Sequence, residues 1–387
     1  MRDLKGSTVF QPRIYSALLG ICICLLASSL TAQTIETAAR HAVLYDLTTD
    51  TILLDKASDV PMPPASMSKL MTVYMVFERL KAGRLSLDDK FVVSRKAWRK
   101  GGSKMFVMVK SRVTVKDLLR GIIIQSGNDA CIVIAEGISG TEEAFAEAMT
   151  QKAKEIGLKN SAFKNATGWP ADGHYMSARD IATLSKKLII DFPEYYKIFS
   201  ETEFSHGGIK QGNRNPLLYK GFGADGLKTG HTEASGYGLA ASAVRKDRRL
   251  LLVVNGLQSK RARASESARL LDWAFRETAS YALFKKHDVI EKADVWLGNA
   301  SSLLLVVDRN LTLTMSRKAR HGMKVKVTYD NPIPAPVKKG TQVGLVTVTA
   351  PGLVPIVVPL VANANVEQLG AMGRLNAAIN YLLFGGS

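Results

Sequence analysis

The chain has 387 residues, a net charge of +18, a pI near 9.7, 46% hydrophobic residues and three cysteines. That length suits two or three domains with ample core for each, and so few cysteines exclude a fold stapled by disulfides. The positive balance implies anionic surroundings, such as phospholipid head groups or a carboxylate-bearing polymer; no basic run interleaved with aromatics has the look of a single-strand platform or recognition helix, which argues against nucleic acid.

In chain order, Arg2, Lys5 and Arg13 precede an apolar run from Ile14 to about Leu30 that ends in small residues near Ala32. This predicts a secretory signal over residues 1–32, cut after Ala32, with an uncleaved anchor as the competing reading. Cys22 and Cys24 lie inside it, without the preceding small residues of a lipoprotein site. Only Cys131 then remains, so stability rests on the core, and Cys131 in its apolar run reads as a small buried hydrophobe.

Residues 42–46 and 51–55 predict two strands around a turn. Pro63-Pro64-Ala65-Ser66-Met67-Ser68-Lys69-Leu70-Met71 follows and opens a helix running to Leu80. The prolines cannot continue a helix backwards, so Ser66 falls in its first turn among unpaired N–H groups. Three residues apart, Ser66 and Lys69 share a face, which sets an amine beside a hydroxyl. Serine is a weak nucleophile until a neighbour takes its proton, and lysine does this only when burial or a nearby cation destabilises its ammonium. The motif therefore predicts a second cation near Lys69. Ser161-Ala162-Phe163-Lys164 repeats the spacing, but between Asn160 and Asn165-Ala166-Thr167-Gly168 it reads as a turn.

Residues 92–115 are mixed and basic, with Gly101-Gly102-Ser103 as a mobile turn: the rim of a cleft or a surface excursion. Helices are predicted over 115–124, 129–137 and 141–156. Ser126-Gly127-Asn128 occupies the turn between the first two, where a hydroxyl and an amide can face a ligand. Ser177-Ala178-Arg179-Asp180 reads as a cap without chemistry, opening a helix to residue 190. Lys228-Thr229-Gly230 starts an inner strand, with Gly230 letting a substrate backbone approach closely. Residues 237–244 and 250–254 are a strand pair of continuous apolar character, as in a covered sheet, and a helix over 265–278 completes a first domain spanning 33–280.

From about residue 288 short alternating strands take over, at 289–296, 302–307, 311–315, 323–329, 342–349 and 356–360, punctuated by prolines. They predict a small β-sandwich over 286–362. The tail, 366–384, places Leu369, Met372, Leu375, Ile379, Leu382 and Leu383 at helical spacings, with Arg374 its only cation. It fits a membrane interface or a packed terminal helix equally.

With Ser66 and Lys69, then Ser126 and Asn128, then Lys228-Thr229-Gly230, the sequence resembles the penicillin-binding serine DD-peptidases. The fuller similarity is to the low-molecular-mass D-alanyl-D-alanine carboxypeptidases, through Gln125-Ser126-Gly127-Asn128-Asp129-Ala130, Asp225-Gly226-Leu227-Lys228-Thr229-Gly230-His231-Thr232 and Leu270-Leu271-Asp272-Trp273. It covers roughly residues 38–277, and the rest by architecture only. One departure is the absence of a Pro-Gly turn after Met105-Phe106, which leads instead to Val109-Lys110-Ser111-Arg112.

The resemblance implies an α/β transpeptidase/β-lactamase-like domain, an antiparallel sheet covered by helices, followed by a small all-β domain and a C-terminal amphipathic helix on a membrane surface. It implies a peripheral protein on the periplasmic face of the cytoplasmic membrane that removes the terminal D-alanine from peptidoglycan stem pentapeptides and is acylated by β-lactams. Ser66 would attack the carbonyl of the penultimate D-alanine, with Lys69 as proton acceptor and Lys228 as the cation beside it. N–H groups of Ser66 and His231 would form the oxyanion hole. Ser126 would relay a proton to the departing D-alanine, Asn128 would orient the substrate amide, and Lys228, Thr229 and Arg263 would hold the terminal carboxylate. His174 reads as structural. No cofactor, metal or nucleic acid is expected, since no His, Cys and carboxylate spacing suggests zinc. A DD-endopeptidase and a β-lactamase share the acylating residues and stay open, the extra β domain standing against the latter. A non-catalytic wall-binding factor has no need of Ser66, Lys69, Ser126, Asn128 and Lys228 together.

Overall fold

The computed structural model describes residues 35–353 and 355–384; the secretory signal predicted over 1–32 lies outside the described residues. Strands β1 (His41–Asp46) and β2 (Thr51–Lys56) form a hairpin. A 3-10 turn at Ala65–Ser68 leads into α1 (Lys69–Lys81), where Leu70, Met71, Val73, Val76 and Phe77 are all buried. A helix apolar on every side belongs in the middle of a fold, and each of these side chains stabilises by about 2 kcal/mol when fully buried. The turn bearing Ser66 is thereby fixed to a buried element of the core.

Next come β3 (Lys90–Val92), α2 (Arg95–Arg99) and β4 (Arg112–Thr114), with β3 and β4 paired. Helices α3 (Val115–Ile123) and α4 (Asn128–Ser139) meet at the Ser126-Gly127 turn, and α5 (Glu142–Glu155), α6 (Ala178–Asp191) and the short α7 (Pro193–Tyr196) complete the helical layer. A ribbon of β5 (Glu203–His206) and β6 (Ile209–Gly212) precedes the long strands β7 (Ala224–Thr232), β8 (Gly236–Arg245) and β9 (Arg248–Leu257). The antiparallel sheet runs β2-β1-β9-β8-β7.

Val43, Ala240, Leu251 and Val253 pack with the helical layer, while Leu44, Leu239, Leu252 and Val254 pack beneath Leu270 and Leu271 of α8 (Lys260–Glu277). Both faces are covered, so the strands read as unbroken apolar runs. The Lys228-Thr229-Gly230 motif lies on β7, an edge strand rather than the inner one predicted, because the sheet ends there against the Ser66 turn. Helix α8 begins more than a turn before the predicted start: Ser259 Oγ accepts from Ala262 N at 3.0 Å, a cap that sets the boundary ahead of the apolar residues.

The remaining strands are β10 (Thr278–Phe284), β11 (Val289–Trp296), β12 (Ser302–Val307), β13 (Leu311–Ser316), β14 (Lys324–Tyr329), β15 (Ile333–Pro334), β16 (Gln342–Thr349) and β17 (Ile356–Ala362), with the short α9 (Arg317–His321) after β13. Six form a sheet in the order β14-β16-β17-β12-β11-β15, and β10 pairs with β13. Leu305, Val346, Val358 and Leu360 meet Leu313 and Met315 of β13 between the layers. The two parts of the chain join through Asp46: it is fully buried and accepts from Arg248 Nε at 2.7 Å and Thr314 Oγ1 at 2.6 Å. The last helix, α10, spans Ala371–Phe384. It starts later than the amphipathic spacing from residue 366, because Val366 N donates to Val337 O at 2.8 Å and Leu369 N to Leu297 O at 2.8 Å, which ties residues 366–369 to the β layer.

Candidate active site

Ser66 is half-buried in the turn that opens α1, and Lys69 Nζ lies 2.8 Å from its Oγ. The same amine donates to Thr167 O, which fixes its direction. That carbonyl is set by Asn165, whose Oδ1 accepts from the N–H groups of Thr167 at 3.1 Å, Gly168 at 2.9 Å and Trp169 at 3.1 Å. Gly168 has φ +76°, and a Cβ there would lie 2.0 Å from Ala65 O, so only glycine permits this loop to close on the nucleophile turn. Lys69 is wholly buried, and its pKa falls from 10.5 to about 8 chiefly by burial; Arg214 and Lys100 push it the same way, against Cys131 and Asp129. Near neutral pH a usable fraction of it is the free amine that a serine nucleophile requires.

Ser126 occupies the turn between α3 and α4 with φ +67°, a strained backbone for a non-glycine residue, and its buried Oγ has no hydrogen-bond partner among the described residues. Leaving a buried hydroxyl unpaired costs about 1–3 kcal/mol, an arrangement that fits a group reserved for a ligand. Asn128 Nδ2 donates to Gly101 O at 2.9 Å and Asn128 N to Ser103 O at 2.7 Å. Beside it the buried Asp129 carboxylate accepts from the N–H groups of Met105 at 3.0 Å and Phe106 at 2.9 Å. These bonds tie the 101–107 loop to the start of α4, beside Ser126. Cys131 lies buried behind, its thiol pushed up to about 12 by burial, which makes it inert as a nucleophile.

On β7, Lys228 and Thr229 are buried, and Lys228 Nζ donates to Thr229 O at 3.2 Å. Burial first, then repulsion from Lys69 and Arg214, holds Lys228 well below the usual lysine range. The Lys69 amine thus opposes protonation of Lys228, while the cations that lower Lys69 itself are Arg214 and Lys100. Gly230 is packed so closely that a Cβ would lie 2.9 Å from Pro64 O. His231 is exposed and its ring stacks on Tyr237 with centroids 3.8 Å apart. Arg263 comes in from α8, buried, its guanidinium 5.8 Å from the Tyr237 ring centre and its Nε without a partner among the described residues.

The eight residues singled out by sequence thus lie on the elements that converge here: the Ser66 turn, the α3–α4 turn, β7 and α8. Sequence reasoning missed Arg214, Trp169 and Lys100, and singled out Asn165 only as part of a turn. Arg214 Nη1 donates to Ser103 Oγ at 2.6 Å and Lys100 Nζ sits 4.8 Å from the centre of the Trp169 ring, but no local motif marks either contact. The second Ser-x-x-Lys is structural, with Ser161 Oγ donating to Asp180 Oδ2 at 2.7 Å. His174 is structural too: Lys164 N donates to its Nδ1 at 3.2 Å, and burial lowers its pKa to about 4.

Residues 28–259 match the family model described as D-alanyl-D-alanine carboxypeptidase, and residues 279–368 match that of the C-terminal domain of penicillin-binding protein 5. The chain is 38% identical over 354 residues to D-alanyl-D-alanine carboxypeptidase DacC of Escherichia coli, covering 89% of this chain and 88% of that protein. Among solved structures, D-alanyl-D-alanine carboxypeptidase DacD from Francisella tularensis superposes with a TM-score of 0.77 at 32% identity, over 87% of this chain and 95% of that one. Penicillin-binding protein D2 from Listeria monocytogenes, in its ampicillin-bound form, gives a TM-score of 0.57 at 28% identity, over 62% of this chain and 99% of that one. By family model and by relatives alike, this chain belongs to the D-alanyl-D-alanine carboxypeptidase family.

Proposed function

We infer that the protein is a serine-type D-alanyl-D-alanine carboxypeptidase that removes the terminal D-alanine from peptidoglycan stem pentapeptides through an acyl-enzyme on Ser66. The observation that carries this reading is the 2.8 Å contact between Ser66 Oγ and a buried Lys69 amine whose pKa is lowered to about 8. Ser66 Oγ attacks the carbonyl carbon of the penultimate D-alanine and its proton passes to Lys69 Nζ. The negative oxygen that forms is held by N–H groups of Ser66 and His231. The C–N bond then breaks, the departing nitrogen takes a proton by way of Ser126, and water cleaves the remaining ester.

Substrate is held along the free edge of β7, where its backbone extends the sheet, with Asn128 on the side-chain amide side. Lys228, Thr229 and Arg263 take the terminal carboxylate, and the unpaired Arg263 Nε suits that task. β-Lactams offer a strained amide carbonyl to the same Ser66 hydroxyl, in keeping with the ampicillin-bound relative. The working protein is exported, with a peptidase domain over 33–280, a β domain over 286–362 and a tail that lies on the periplasmic face of the membrane. Met372 and Leu375 of α10 are exposed, and no described helix is long and apolar enough to cross a membrane.

The test is D-alanine release from a diacyl-Lys-D-Ala-D-Ala peptide by the parent and by Ser66→Ala. Release by the parent alone is expected. Release by both would move the nucleophile elsewhere, and release by neither, in a folded protein that still reacts with a β-lactam, would favour a DD-endopeptidase.

A further inference from the structure

Residues 90–116 hold nine lysines and arginines and no acidic residue. They build the β3–β4 ribbon, α2 and the loop that rims the site. Among the described residues Lys96 alone of the nine forms an ion pair, with Glu142 at 3.1 Å and Glu143 at 2.8 Å. Arg95, Arg99 and Lys110 stand exposed. Concentrating like charges on one lobe opposes folding and creates a field that draws anions.

The lobe is continuous with the cleft, since Asn128 holds Gly101, Arg214 holds Ser103 and Lys100 covers Trp169. It also carries apolar surface among the cations. Trp98 is 41% exposed, Phe106 49% and Met108 65%, enough to pack on peptide while the cations meet carboxylates.

We propose that this basic lobe is an extended binding surface for the polymeric, carboxylate-rich form of the substrate. It engages the free carboxylates of stem peptides beyond the scissile D-alanyl-D-alanine and on neighbouring strands. The proposal rests on the carboxypeptidase reading of the adjoining cleft. An acidic lipid surface is the other polyanion such a lobe attracts. The polymer is favoured because the charge borders the opening through which the polymer's own peptide enters.

The experiment compares D-alanine release from insoluble pentapeptide-rich peptidoglycan and from a diacyl-Lys-D-Ala-D-Ala peptide, for the full chain and for Arg95→Gln/Arg99→Gln/Lys110→Gln, across a sodium chloride series. Vesicles of anionic phospholipid are sedimented with both proteins in parallel. The triple variant is expected to lose about tenfold in kcat/KM on the polymer at low salt, with the small peptide unchanged and the parent approaching the variant as salt rises. Equal losses on both substrates, or an unchanged polymer rate, would overturn the proposal. So would lost vesicle binding with polymer activity intact, which assigns the lobe to lipid. Failure of the parent on the small peptide strikes the carboxypeptidase reading instead.

Discussion

The two halves of the chain fill their interiors with different material. Around Ser66 the helices and the five-stranded sheet enclose Lys69, Lys228, Ser126 and Asp129 together with apolar side chains. From β10 to β17 the layers enclose Leu305, Val346, Val358 and Leu360, and the one polar side chain buried past Thr278 among the described residues is Thr314, which reaches back to Asp46. Burying a charge without a partner costs several kcal/mol, so the first interior holds its amines only by lowering their pKa values. Among the described residues the second buries no titratable side chain. Reactivity here resides where the packing is least favourable.

Removing the proposed nucleophile separates the two most sharply. Ser66→Ala is expected to lower kcat/KM for D-alanine release at least about 10³-fold while calorimetry finds the melting temperature nearly unchanged, since the half-buried hydroxyl contributes little to packing. Lys69→Met comes next. The parent's acylation rate should climb with pH through about 8 and then level off, and the variant should lose both the rate and the dependence. Stability moves with the same group. Unfolded, Lys69 keeps its proton to about pH 10.5; folded, it releases it near 8, so between those values the unfolded chain binds more protons and stability rises with pH. Below pH 8 the penalty of burying the ammonium is fully present. Denaturant unfolding at pH 7.5 and 9.5 should show that rise in the parent and a smaller one in Lys69→Met.

A smaller effect is expected from Gly168→Ala, whose methyl would strike Ala65 O and shift the Ser66 turn; a displacement of that kind costs about 100-fold in kcat. Crystals or acylation kinetics of the variant would show the turn moved. In the other half, Val358→Ala should lower unfolding free energy by about 2 kcal/mol by opening a cavity, yet leave kcat/KM at 20 °C unaltered. Parallel loss of activity there would break the division of labour between the two interiors.

The catalytic half was the more legible of the two in sequence, for a physical reason. Ser66 with Lys69, Ser126 with Asn128, and Lys228 with Thr229 each sit within one turn or one strand, so short spacing fixes their proximity. Arg214 escapes because its contact with Ser103 depends on the finished fold. Asn165, whose bonds to residues 167–169 are local, is legible as a turn residue but not as the support of the Thr167 carbonyl. The helix boundary at Lys260 escapes because a polar cap, not an apolar residue, begins it. Strand β10 escapes as well: Thr278 ends α8 and starts β10 at once, with no turn residue between to announce the change. In the β half, short strand-forming runs between turn residues predict β11, β12 and β16 with their observed limits. What such runs lack is any signal for how strands 10 and 13 form a separate layer, which is set by long-range pairing.

The most direct test is to acylate the protein with a β-lactam at a series of pH values from 6 to 9.5 and locate the adduct by proteolytic mass mapping. An adduct confined to the peptide bearing Ser66, forming faster as pH rises through about 8, is the expected result. An adduct on Ser126 or Ser161, or a rate on Ser66 that is flat across that range, would contradict a serine activated by the buried Lys69 amine.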